Sequence, residues 1–505
     1  MAGNRREPRP TALANLDLAG ASTKVPESRA ASIDPTERPV GELIRSAAVV
    51  CAPTTSVRDA AERMVTAGAT AVLVDLGDGL GIVTDRDLST RVMATGGSSE
   101  TPLRAAMTVP AITVAAERSG AEVLLEMLER DVRHFPVVDI AGRVIGIVDD
   151  IDLMVAERLS PFHLQKAVAR GGDVDAVVGL ARRLPAVVID LHDSRVAPTT
   201  ISRIIASIHD ALTQRLIALA THDLGASPAD FTWLTLGSNG RRESFPGSDQ
   251  DSALAWLGGR NESATGQSLR LLAGRVEAGL AACGMLADPN GARASRARFS
   301  RSVAGWERAA TAWAAELDYE GVIVLSAMVD GRPVTRTDVV GARIVEVFRQ
   351  RSDPDQMSRR LAVVALAHRP PTAFVRDFVV EHTGARKGLF DIKQGGLRPI
   401  VDLARWAVIA AQGPLPTSTL ARLGVAEAAG TLETHDAAIL RDAFELVTSI
   451  RMRHQVEQLR AGLSPTDHID PAELAGLTRR YLKEAFQAIR HVQRGVELKV
   501  GVRPT

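Results

Sequence analysis

Two stretches of this chain repeat almost the same message 65 residues apart: GIVTDRDL at 81–88 and GIVDDIDL at 146–153. Each is preceded by a comparable run, SVRDAAERMVTAGATAVLVDLGDGL in the first copy and SGAEVLLEMLERDVRHFPVVDIAGRVI in the second. In the first copy Val57, Ala60, Ala61, Met64 and Val65 fall at helical spacing, which predicts an amphipathic helix. The short β-branched runs AVLV and FPVV, each followed by a glycine-containing turn and GIV, predict paired strands of a buried sheet. Two copies are too few for a solenoid. They predict a side-by-side α/β pair over residues 39–157.

Composition sets the rest of the frame. A chain of 505 residues is long enough for about three domains at ~100–200 residues each. Lys+Arg and Asp+Glu are both 60, so no net field draws the chain to nucleic acid or to an anionic membrane. Aromatic content of 4% leaves little for base stacking. The longest apolar run, GVIVLSAMV at 321–329, is bounded by Glu320 and Asp330, far short of the ~20 residues of a membrane span. Two cysteines, Cys51 and Cys283, make neither a disulfide framework nor a zinc site. The expectation is a cytoplasmic protein. Residues 1–38 are rich in Ala, Pro, Ser, Arg and Glu without periodicity and read as a disordered tail. A helical stretch from Ser160-Pro161 leads into mixed structure over 158–350, with 321–329 read as a strand. Residues 358–500 read as helical again.

The stretch LGSNGRRESFPGSDQDSALAW, Leu236 to Trp256, carries the chemistry. Gly237-Ser238 ends an apolar run and opens a small-residue loop that lets backbone amides approach phosphate, with a hydroxyl as a further donor. Arg241 and Arg242 can neutralise phosphate charge. Asp249 and Asp251 stand two apart, which on a strand puts both carboxylates on one face. Paired there they repel each other unless a hard cation such as Mg²⁺ or Mn²⁺ sits between them. Glu243 is readable as a partner for Arg241 or Arg242, and Ser248 as a turn residue.

These residues carry three resemblances. The repeat resembles the cystathionine β-synthase (CBS) domain pair, a nucleotide-sensing module. That likeness implies that Thr84 and Asp87 contact an adenine nucleotide, and in the second copy Asp152, preceded by Asp149 where a hydroxyl is usual. A carboxylate at 149 repels phosphate, so one competent site is expected, or a ligand without phosphate. The Gly-Ser…Asp-x-Asp stretch resembles the DNA-polymerase-β-like nucleotidyltransferase superfamily, and its Gly-Ser-x-Gly-Arg-x-Glu form the branch related to the PII-protein uridylyltransferase. The resemblance implies a third metal-binding carboxylate; the pattern singles out Asp330, followed by Gly331-Arg332, with Asp318 and Glu320 as alternatives. The C-terminal KGLFDIKQGGLRPIVDLARWAVIA, IRMRHQ and YLKEAFQAI resemble the helical substrate-binding domain of that branch. Only six of the chain's basic residues are lysine; Lys387 and Lys393, around Asp391, become candidate contacts to nucleotide or acceptor. His454 is read as a packing residue.

The expected architecture is therefore a multidomain α+β/α chain: a CBS pair, a polymerase-β-like α/β domain and a helical bundle. The expected activity is metal-dependent transfer of a nucleoside monophosphate from an NTP to a hydroxyl, on a protein acceptor, under adenine-nucleotide control, in a homodimer. A non-catalytic nucleotide sensor and a small-molecule nucleotidyltransferase are the alternatives.

Overall fold

The computed structural model describes residues 38–44, 48–150, 152–153, 161–224, 231–258, 262–287, 291–315, 319–334, 339–349, 354–371 and 387–501. The N-terminal tail, Ser160 and Asp318 lie outside the described residues.

Each repeat folds as a three-stranded sheet with a helix. The first has β1 (Val50–Cys51), α1 (Val57–Ala67), β2 (Ala71–Asp75) and β3 (Leu80–Thr84), and the second β4 (Val114–Ala115), α2 (Gly120–Arg130), β5 (His134–Val138) and β6 (Val144–Asp149). The first strand runs parallel to the second, and the second antiparallel to the third, in both copies. Both helices start on a serine whose hydroxyl accepts from a backbone amide three residues on, Ser56 from Asp59 and Ser119 from Glu122. That is the usual N-cap geometry.

The two copies differ in what α2 does. Val123, Leu124 and Met127 pack into the sheet of their own repeat. Ala121, Leu125 and Leu128 belong to the large core of the rest of the molecule. A single helix that buries two opposite faces ties the second repeat rigidly to the following domain, because neither core can shift without disturbing packed side chains.

Four helices follow: α3 (Pro161–Arg170), α4 (Val174–Ala181), α5 (Leu184–Asp193) and the long α6 (Pro198–Leu224). α6 is buried nearly all round, as a central core helix must be. Next comes a four-stranded sheet of β7 (Phe231–Thr235), β8 (Ser252–Trp256), β9 (Ser300–Ser302) and β10 (Arg332–Pro333), in the order β10-β7-β8-β9. Every residue of β7 and β8 is buried, because α7 (Glu262–Ala282) and its neighbours cover the faces. Then come α8 (Val303–Ala315), α9 (Tyr319–Met328) and α10 (Val339–Arg349). The run 321–329, expected as a strand, lies within and just after α9. A continuous apolar run of this length fits a buried helix as well as a buried strand.

The C-terminal region is helical: α11 (Pro354–Ala367), α12 (Arg398–Ala410), α13 (Thr419–Ala428), α14 (Thr434–Arg460) and α15 (Gly476–Val500), with a two-stranded patch of β11 (Phe390–Asp391) and β12 (His468–Ile469). Its apolar faces join the same core as the sheet domain. Among the described residues no helix is long and apolar enough to cross a membrane.

Candidate functional site

β7 ends in a sharp turn at Gly237, whose φ is +56°. A Cβ there would lie 2.5 Å from Asp251 Oδ2. Glycine is thus required twice, by its left-handed backbone and by the carboxylate pressed against its Cα. A single helical turn, Gly237–Gly240, follows, and its first amides have no carbonyl partner within the turn. The rest of the loop closes on itself. Ser238 Oγ donates to Ser248 Oγ at 3.3 Å, which accepts from the Phe245 amide at 2.8 Å, and Asn239 links Thr235 to Ser244. Gly240 is as confined as Gly237, with a Cβ falling 2.3 Å from the Asp330 carbonyl.

Asp249 and Asp251 were expected on a strand. They lie in the extended approach to β8, which begins at Ser252. The strand-like alternation survives. The Asp251 carbonyl accepts from the Leu236 amide at 2.9 Å. The buried Gln250 side chain donates inward to the carbonyls of Glu277 and Met285 at 3.2 and 2.9 Å. With Gln250 anchored inside, both carboxylates line a cavity of about 450 Å³ between the sheet domain and the helical domain. Gly237 and Ser238 line the same wall.

The opposite wall is helical. Lys393, one turn before α12, puts its Nζ 2.7 Å from Asp249 Oδ2. An ammonium thus occupies a cation position on the first carboxylate. Its expected companions do something else. Asp391 accepts from the Gln394 amide at 2.8 Å, a capping contact, and burial together with Asp467 raises its pKa. Lys387 is exposed and lies outside the residues that line the cavity.

Asp330 does not join the pair. Its carboxylate is buried and takes Arg241, Arg405 and Arg422 as ion-pair partners. Burial alone would raise its pKa, but the three guanidiniums outweigh burial and hold it well below the usual range. This corrects the expectation of Asp330 as a third metal carboxylate: its negative charge is already spent on three buried cations. Arg241 is corrected with it. It lines the cavity, yet its Nε is 2.7 Å from Glu243 Oε2 and a terminal nitrogen is on Asp330, so its charge is compensated before any phosphate arrives. Glu243 also accepts from the amide and hydroxyl of Thr419, at 2.6 and 2.9 Å, pinning the start of α13 to the loop. Of the alternatives, Glu320 is an exposed partner of Arg298 at 2.8 Å. The segment next to β8, GARASRARFSRS at 291–302, has no acidic residue. Among the described residues no three His, Cys, Asp or Glu side chains form a metal cluster.

In the repeats, Thr84 and Asp87 form a reciprocal cap: the Thr84 amide and hydroxyl donate to Asp87 Oδ2 at 2.9 and 2.8 Å, and the Asp87 amide donates back to Thr84 Oγ1 at 3.3 Å. Asp149 and Asp152 repeat the arrangement at 3.1 and 2.9 Å. The first pair holds a strand-to-helix junction, and the second holds the turn that follows β6. The copies touch through Thr70 Oγ1 and His134 Nε2, 2.7 Å apart. His454 is half-buried beside Gln458 at 3.0 Å, consistent with packing.

Several residues came without notice from the sequence. Glu129 of α2 takes Arg203 of α6 at 3.0 Å and Arg242 of the glycine loop at 3.1 Å; Arg242 holds φ at +59° to do so. On α12, Asp402 pairs with Arg405 at 2.5 Å and with His368 Nδ1 at 3.1 Å. Asp402 and Arg405 sit inside the apolar run PIVDLARWAVIA; charges in such a run are the signal, since buried charges are rarely left unpaired.

Three family models match parts of this chain. Residues 40–94 and 103–158 match the CBS domain, residues 182–320 the family described as "Putative nucleotidyltransferase DUF294", and residues 355–500 the "Putative nucleotidyltransferase substrate binding domain". An uncharacterised protein of Methanopyrus kandleri is 31% identical over 121 residues, 23% of this chain and 62% of that protein. A CBS domain-containing protein of Arabidopsis thaliana is 34% identical over 161 residues, 31% of this chain and 29% of that protein. The chain thus spans less than two thirds of each of these relatives. Among solved structures, a CBS-domain-containing protein of Agrobacterium tumefaciens is 28% identical, with 23% of this chain and 89% of that chain covered and a TM-score of 0.21. A CBS domain protein of Pyrobaculum aerophilum complexed with AMP is 20% identical, with 24% and 92% covered and a TM-score of 0.22.

Proposed function

We propose that this chain, which joins a CBS pair to a DUF294-type domain and its substrate-binding companion, moves a nucleoside monophosphate from an NTP to a hydroxyl, in the manner of the PII uridylyltransferase, with a protein as acceptor. One observation carries the reading: Asp249 and Asp251 share a cavity wall with Gly237-Ser238, and Lys393 already holds a positive charge on Asp249. Two oxygen-donor carboxylates beside a phosphate-sized turn suit Mg²⁺ or Mn²⁺. Bound by Asp249 and Asp251, such ions would neutralise charge on the phosphate oxygens and acidify the acceptor hydroxyl. Gly237 lets the Asp251 carboxylate close onto the turn, and the Ser238 hydroxyl, released from its long contact to Ser248, would offer phosphate a donor. Lys393, displaced from Asp249, would turn to the triphosphate as a compact cation.

The CBS pair is the regulatory input in this reading. In it Thr84 and Asp87 would take the ribose and phosphate of an adenine nucleotide, and Asp149 would disfavour phosphate in the second copy. Binding there can act on the transferase only by favouring one conformation over another, and the shared helix α2, whose Glu129 holds Arg242 of the glycine loop, is one route.

The decisive test is incorporation of label from each α-labelled NTP, with Mg²⁺, into a protein pool. Asp249→Asn and Asp251→Asn should abolish incorporation without changing the melting temperature. Undiminished incorporation by the double variant ends this reading. A second reading, a nucleotide sensor without turnover, is favoured by the arginine cage around Asp330, which leaves the pair without a third carboxylate. It predicts metal-dependent NTP binding with no product.

A further inference from the structure

With Asp330 caged, the carboxylate wall has no spare base to take the proton of an attacking hydroxyl. The helical wall of the same cavity has one. His368 follows directly on α11 and lines the cavity. Its Nδ1 lies 3.1 Å from Oδ2 of Asp402, whose carboxylate is 1% exposed, while the imidazole is 28% exposed. Asp402 is itself held on α12 by Arg405 at 2.5 Å and faced by Arg398 at 3.7 Å. The backbone fixes the other side: Gln493 of α15 donates to the His368 carbonyl at 2.7 Å. The remaining charges nearby are Arg369 with Glu497 of α15, at 3.8 Å, and Asp330 behind Arg405. Neither His368 Nδ1 nor Asp402 Oδ2 has a hydrogen-bond partner among the described residues, so the two are within reach of each other but not yet aligned; a turn of the ring that aligned them would put the proton on Nδ1 and leave the lone pair on Nε2. So aligned, the pair would be the base and orienter of general base catalysis, a contact that is often loose until substrate is bound.

We propose that His368 is the general base of the transfer, with Asp402 as its positioning residue; the proposal rests on the transferase reading above. The acceptor O–H bond breaks and its proton passes to His368 Nε2. The oxygen forms a bond to the α-phosphorus of the NTP. The bond from that phosphorus to the bridging oxygen breaks, and its electron pair leaves on pyrophosphate. The imidazolium that results is stabilised by Asp402 until it returns its proton to water in the cleft.

The full chain is assayed for pyrophosphate release from each of the four NTPs with Mg²⁺, with water alone and with a protein pool as acceptor, from pH 5.5 to 9. NTP affinity and melting temperature are measured on the same samples. His368→Gln should lower turnover at least ~100-fold and keep NTP affinity within about twofold across the pH range. Asp402→Asn should lower turnover less. Imidazole should restore part of the activity of His368→Ala, which a merely structural histidine would not permit. If His368→Gln retains its turnover and pH profile while Asp251→Asn is inactive, the base is wrong and the transferase reading stands. If the unmodified chain releases no pyrophosphate with any NTP, both fall.

Discussion

Two carboxylate settings, one on this cleft and one buried behind it, explain more by their contrast than either does alone. Asp249 is 38% exposed and holds one ammonium, from the 28% exposed Lys393. Asp330 is wholly buried and holds three guanidiniums. The first ion pair is half in water, where attraction is weak and partners exchange readily. The second is dry, and its three arginines are balanced by Asp330, Glu243 and Asp402 together. A buried charge is tolerable only when fully partnered. The exchangeable pair is fitted to bind cations that come and go; the locked one fastens the glycine loop, the turn after α9 and helices α12 and α13 into one body.

The largest effect should therefore come from breaking the cage. Asp330→Asn leaves three buried arginines short of an anion and should destabilise the fold by about 3–5 kcal/mol, read as a lower denaturation midpoint. The pH dependence has a fixed sign. Because the folded carboxyl titrates below its ordinary value, its contribution is complete at neutral pH and is lost as pH falls below about 4. Asp330→Asn should flatten that acid decline. A variant as stable as the parent, with the same acid limb, would mean that the cage is ornamental.

Asp251→Asn makes the opposite prediction. It removes one of two neighbouring negative charges and keeps an oxygen to accept from the Ala292 amide, so the melting temperature should hold or rise slightly, while nucleotidyl transfer falls at least ~100-fold. Loss of both stability and activity would erase the distinction between the two settings.

Lys393→Met sharpens the comparison from the other side. Removing the ammonium frees Asp249 for metal. Mn²⁺ binding without nucleotide, followed by calorimetry, should tighten by about tenfold. The KM for NTP should rise by a similar factor, because the cation is then missing from the triphosphate. Weaker Mn²⁺ binding would show that Lys393 orders the carboxylate rather than competing for it.

The contrast also marks where sequence reasoning stops. The paired aspartates, the glycine turn and both repeats were legible because their constraints are local: a two-residue period, a left-handed glycine, a serine cap. The fate of Asp330 was not. Its partners sit 89, 75 and 92 residues away in sequence, and nothing in VDGR distinguishes a metal ligand from the centre of an ion cluster. Reading 321–329 as a strand made the metal role look natural, whereas α9 delivers Asp330 at a helix end instead. Lys393 could be singled out by its rarity, but not its contact with Asp249, which spans two domains. The helix α2 shows the same limit: its periodicity predicts one buried face, and only tertiary packing supplies the second.

The smallest effect tests that second face. Glu129 is the charged point at which α2 meets both Arg203 and Arg242. It is 21% exposed, so its loss should change stability by no more than ~1 kcal/mol. What Glu129→Gln should change is communication. With the link to Arg242 weakened, basal transfer should stay within about threefold of the parent, while any effect of AMP or ATP on transfer shrinks, since coupling between two sites is typically worth only ~1–3 kcal/mol. Rates measured with and without each adenine nucleotide, in parent and variant, give the coupling directly. If the nucleotide effect is undiminished, the signal runs through the apolar faces of α2, and Leu125→Ala at the packed face becomes the variant that should remove it.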